Sequence, residues 1–60
     1  MSKLRDYLFR DTETGEYYFV ECKNQGECEE ILEMNGLEET AKLVGVYSPE
    51  AADILGYDTY

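Results

Sequence analysis

The 60 residues carry 14 Asp and Glu against five Lys and Arg and no His, a formal charge of −9. Nucleic-acid backbones and anionic membrane surfaces are polyanions that clustered Lys and Arg bind, so direct nucleic-acid binding and membrane association are not expected. The favoured partner is a protein with a basic surface.

Sixty residues make one domain, here 1–60, and a domain of this size buries only about 60% of the surface its unfolded chain exposes. Its stability is thin, so a staple, a dimer or a partner is expected to help hold it. Hydrophobic residues at 43% and aromatics at 13% are too many for a disordered acidic tail. No apolar run approaches the roughly 18 residues of a membrane span, and the Met-Ser-Lys-Leu-Arg start lacks the apolar stretch of a secretion signal. The chain reads as cytoplasmic.

In chain order, Leu4 to Arg10 and Glu16 to Cys22 are rich in aromatic and β-branched types, with Asp11-Thr12-Glu13-Thr14-Gly15 supplying turn chemistry between them. A β-hairpin is expected, with Gly15 at a positive φ beside a bulge. Pairing Arg10 with Glu16 sets Phe9 opposite Tyr17, Tyr7 opposite Phe19 and Arg5 opposite Glu21, so that aromatics meet aromatics and each Arg meets a Glu. Tyr7, Phe9, Tyr17 and Phe19 then share one face, and Leu4, Leu8, Tyr18, Val20 and Cys22 the other. Both faces are apolar, which calls for a helix on each or for another chain on one of them. Asp11, Glu13 and Gly15 resemble the opening of a calcium loop only superficially. An EF-hand places Gly sixth and a bidentate Glu twelfth between helices, whereas here Gly is fifth and strands flank the turn.

Asn24 with Glu27 three residues on is a capping-box pattern that opens a helix over about Gln25 to Met34. Cys28, Ile31 and Leu32 form its apolar stripe, and Gly36 with Leu37 suits a Schellman ending. Glu29, Glu30 and Glu33 lie on its outer face, with Glu27 on the flank and Glu38 and Glu39 in the linker beyond. Ala41 to Tyr47 suits a third strand. Ser48-Pro49-Glu50 starts a brief second helix, with Ala51, Ile54 and Leu55 as its buried side, Gly56 as its end and a tail over residues 57 to 60. The order is β-β-α-β-α, an α+β fold. A parallel crossover from the second strand to the third gives the sheet order 2-1-3.

With no His anywhere, Cys22 and Cys28 cannot complete a tetrahedral zinc site from one chain, so no metal and no cofactor is expected. An intrachain bridge is geometrically possible, but in a reducing cytoplasm they are expected to be free thiols packed as small hydrophobes. Glu27, Glu29 and Glu30 crowd Cys28 and favour its neutral form. The lack of His also removes the ordinary base for a nucleophile, and no phosphate loop or cofactor fingerprint appears, so no enzyme is expected.

Two surfaces remain as candidates. Glu27, Glu29, Glu30, Glu33, Glu38 and Glu39 lie within thirteen residues that contain no Lys or Arg, where an ordinary helix face would intersperse Lys at i+4. Carboxylates on a rigid surface can imitate the phosphates of a duplex. The chain therefore reads as a small acidic interaction module that binds and blocks a basic surface, such as the nucleic-acid groove of a partner protein. Small acidic inhibitors of phages and mobile elements offer an analogy of size and charge. Tyr7, Tyr17 and Tyr18 supply the second surface, since Tyr offers contact area and a hydroxyl together. On that alternative the protein is a structural or assembly component forming a homodimer through an aromatic sheet face.

Overall fold

The computed structural model describes residues 4–60, so residues 1–3, on which part of the argument against a secretion signal rests, lie outside it. Two strands, β1 (Arg5–Asp11) and β2 (Tyr17–Cys22), are followed by helix α1 (Gln25–Met34), strand β3 (Ala41–Tyr47) and helix α2 (Pro49–Leu55). The sheet order is β2-β1-β3, with β1 antiparallel to both neighbours. It follows that β2 and β3 run parallel and that α1 is carried in the crossover between them. This is the α+β architecture expected from the sequence.

The hairpin register differs from the expected one by a single residue. Phe9 faces Tyr18, Leu8 faces Phe19, Arg10 faces Tyr17 and Arg5 faces Cys22, so the expected Arg–Glu cross-strand pairs do not form. The cause lies in the turn. Asp11 stays in the strand and its N–H donates to the Glu16 carbonyl at 2.8 Å, leaving a loop of Thr12 to Gly15. The Asp11 carboxylate accepts the N–H groups of Glu13 and Thr14 at 2.8 and 3.1 Å, which spends in turn formation the side chain that had suggested a cation loop. Gly15, at φ 78°, then returns the chain to β2. Because side chains alternate along a strand, a slip of one residue exchanges every partner across the faces. Tyr7 and Phe9 join Tyr18, Val20 and Cys22, while Leu8 joins Phe19. The expected bulge beside Gly15 is present, since the N–H of Gly15 donates to the Asp11 carbonyl at 2.7 Å while the Asp11 N–H donates to Glu16, and a second bulge lies between Leu8 and Phe9 on the β3 side, where Val44 is the extra residue.

Each face carries one helix. On the first, Phe9, Tyr18, Val20 and Cys22 pack with Cys28 and Leu32 of α1, and Tyr7, Ile31, Leu37, Ala41 and Leu43 close around them. Phe9 and Tyr18 stack with centroids 6.1 Å apart. The bounds and caps of α1 follow its local chemistry. Asn24 accepts the Glu27 N–H at 2.9 Å, and the Leu37 N–H returns to the Leu32 carbonyl at 2.8 Å past Gly36 at φ 69°. On the second face, Leu8 and Phe19 pack with Ala52 of α2, flanked by Tyr47.

Helix α2 begins as expected, with Ser48 accepting the Ala51 N–H and Pro49 in the first turn, but it docks through Ala52. Ile54 is 85% exposed and Leu55 is also exposed. The correction has a steric origin, since a seven-residue helix lying over Phe19 and Tyr47 approaches closely only through a small side chain. Residues 57 to 60 are more than a tail. The Phe19 N–H donates to the Asp58 carbonyl at 2.7 Å, the Tyr60 N–H donates to the Phe19 carbonyl at 2.8 Å, and Thr59 bridges Phe19 in parallel, so this segment covers the outer edge of β2. Tyr57 packs on Tyr17 and Phe19, and Tyr60 meets Tyr18 edge-on at 5.0 Å.

Cys22 and Cys28 are joined as a disulfide, in place of the free thiols expected, with their Cα atoms 5.8 Å apart. That separation lies in the usual range for a bridge. The end of β2 and the first turn of α1 are brought together by the short Lys23-Asn24 connection and by burial of both side chains in one core. A loop this short contributes about 2 kcal/mol by the chain-entropy estimate, a large share for a domain of this size.

Candidate functional site

The carboxylates gather at a groove between α1 and β3. Its floor is Phe9 of β1, Leu32 of α1, and Ala41 and Leu43 of β3, and its rim carries Glu29, Glu30 and Glu33 from the helix and Glu38 from the linker. The cavity volume is about 530 Å³. The helix stripe Cys28, Ile31 and Leu32 turns inward, so positions 29, 30 and 33 are left on the outer side, and the Schellman turn at Gly36 swings residue 38 back toward the same opening.

The six expected carboxylates divide into three roles. Glu29, Glu30, Glu33 and Glu38 are exposed and share the groove. Glu39 is exposed beside it without lining it. Glu27 is half-buried and serves the helix start, where its carboxylate accepts the Lys23 N–H at 3.4 Å. No Lys or Arg occurs between Lys23 and Lys42 to offset these charges.

The three tyrosines do not form one surface. Tyr18 is 5% exposed and belongs to the core, with Tyr60 over it. Its hydroxyl is buried without a hydrogen-bond partner, and burial, then the neighbouring Asp11 and Tyr60, push the phenol above its ordinary pKa. Tyr7 is half-buried against the α1 core. Tyr17, at 41% exposure, is the one with substantial ring surface in solvent, and it stacks on Tyr57 at 5.5 Å. The aromatic faces of the sheet are occupied from within the chain, by α1 with Tyr60 on one side and by α2 with Tyr57 on the other.

A smaller hollow of about 240 Å³ between the sheet and α2 is lined by Asp6, Glu21 and Asp53 among others, and Asp6 is buried. Among the described residues no group of three or more His, Cys, Asp or Glu stands close enough to hold a metal ion. None of the described helices is long and apolar enough to cross a membrane.

Sequence reasoning found the rim and missed the floor. Phe9, Ala41 and Leu43 come from two different strands, and only the sheet order brings them beneath α1. Compared with protein-family models, curated proteins and solved structures, the chain matches none.

Proposed function

We propose that this chain is a non-catalytic interaction module that binds a basic surface of a partner protein and blocks it, the nucleic-acid-binding groove of an enzyme being the type of surface it suits. The observation that carries this reading is the exposure of Glu29, Glu30, Glu33 and Glu38 around one groove, on a rigid helix and its capped turn, with no cation in the intervening sequence. A fixed array of carboxylates offers a basic groove what a phosphate backbone offers it, without rearrangement on binding. Charge of this kind acts first on the association rate and on the choice of partner.

The test is E29Q/E30Q/E33Q, which keeps helix propensity and shape and removes three charges. Repulsion along α1 falls, so the melting temperature holds or rises slightly. Binding to a basic partner weakens at the same time, chiefly through slower association at low salt. Stability and binding moving in opposite directions is the signature. Equal binding by the triple variant and wild type across a salt series defeats the proposal, because a solvated surface behaves in that way. No observation favours the homodimer reading, since the aromatic faces on which it rests are already packed.

A further inference from the structure

The two edges of the sheet are treated differently by the fold. The outer edge of β2 is covered by residues 58–60 through two backbone hydrogen bonds. The outer edge of β3 has no strand beside it among the described residues. An uncovered edge presents unpaired N–H and C=O groups to any extended chain that can lie along it. The same strand borders the carboxylate-rimmed groove through its face, since Ala41 and Leu43 of β3 belong to the groove's floor.

We infer that an extended basic segment of the partner protein adds along the outer edge of β3 as a fourth full strand, beside the groove between α1 and β3. The inference rests on the acidic-face reading above and goes further, to the form of the recognition element. An added strand alternates its side chains between the two faces of the sheet. Those on the α1 side of the sheet run over Leu43 toward the groove whose rim carries Glu29, Glu30, Glu33 and Glu38. Lys and Arg suit that path, because their aliphatic stems cover apolar surface while their charged ends stay in water. Side chains directed the other way emerge beside Lys42, where small polar residues fit.

Charge selects this occupant over a second copy of the chain. Two copies joined at β3 would bring two acidic rims together, and like charges at a shared edge oppose pairing. Lys42 and the bulge at Val44 are both features that discourage indiscriminate edge pairing, so what joins here needs a further attraction, and the carboxylate rim supplies it for a basic strand.

The experiment uses the full chain, isotopically labelled, and an N-acetylated, C-amidated octapeptide alternating Lys and Thr. At low salt, saturation with the peptide is expected to slow hydrogen exchange of β3 amides within residues 42–46 by about tenfold or more. A peptide of the same sequence with alternate backbone nitrogens methylated keeps its charge and loses donors, and its affinity is expected to fall about tenfold or more. If both peptides bind equally and the β3 amides are unmoved, recognition is by charge alone; strand addition is overturned while the acidic-face reading stands. If neither peptide binds at low salt the strand proposal is also overturned, and the fate of the acidic-face reading is decided separately by the triple glutamine variant and the partner. Protection of β3 that grows with protein concentration in the absence of peptide identifies a second copy as the occupant and overturns the proposal.

Discussion

Phe19 has no solvent exposure, and the rings of Tyr47 and Tyr57 lie 6.0 and 5.9 Å from its own. It also holds the C-terminal segment through both of its backbone groups, so it links three parts of the chain at one position. Phe19→Ala is expected to cost about 3 to 5 kcal/mol, comparable with the whole stability of a domain this small, and to leave the protein largely unfolded by circular dichroism. Tyr18 presents the opposite case of a core residue with a cost built in. Its hydroxyl is buried and unpartnered, and removing such a group relieves a desolvation penalty. Tyr18→Phe is expected to raise stability by about 1 kcal/mol in urea denaturation. The same residue gives the fold an alkaline limit. The folded-state pKa lies above the unfolded value near 10, so the native state retains a proton that the unfolded state gives up. Its contribution is complete below about pH 10 and is lost as pH rises through the folded value. The phenylalanine variant should lose less stability over that window than wild type, and equal losses would assign the alkaline limit to other groups.

At the scale of elements, what the sequence made legible was what local chemistry decides. The bounds of α1 follow from Asn24, Glu27 and Gly36, each of which acts within a few residues of itself, and the start of α2 follows from Ser48-Pro49 in the same way. The hairpin register was not legible, because it depends on whether Asp11 is counted in the loop or in the strand, and its side chain suits the turn in either case. The disulfide escaped because the free-thiol expectation rested on a reducing compartment, and a spacing that permits a bridge does not decide whether one forms. The apolar face of α2 escaped because seven residues give too short a pattern, and the shape of the sheet beneath chooses the contact. That choice is testable. Ala52→Leu should cost about 1 to 3 kcal/mol through overpacking against Phe19 and Leu8, whereas Ile54→Lys should change stability by less than about 0.5 kcal/mol. The opposite ranking in thermal melts would restore the face read from the sequence. The candidate site divides along the same line, its rim coming from one short stretch, residues 29 to 38, and its floor being assembled from two strands and α1.

For the whole molecule, the central fact is that the first strand sits in the middle. The hairpin pairs β1 with its immediate successor, and α1 closes against β2 across a short connection. Strand β3 must instead find β1 across about 30 to 40 intervening residues. Closing so long a span costs chain entropy before any contact rewards it, while hairpins and helices form in microseconds or less. The order of assembly follows from this. The hairpin and α1 make up the early nucleus, and β3 docks on the far side of the barrier. Val20→Ala, in the nucleus, should then slow refolding in stopped-flow measurements, whereas Leu43→Ala should leave the refolding rate nearly unchanged and speed unfolding. The reverse assignment of rates would place β3 in the nucleus. A strand that joins last in folding is also the first to leave in partial opening, so the same sheet position that leaves one edge of β3 uncovered makes it the least kinetically protected part of the sheet.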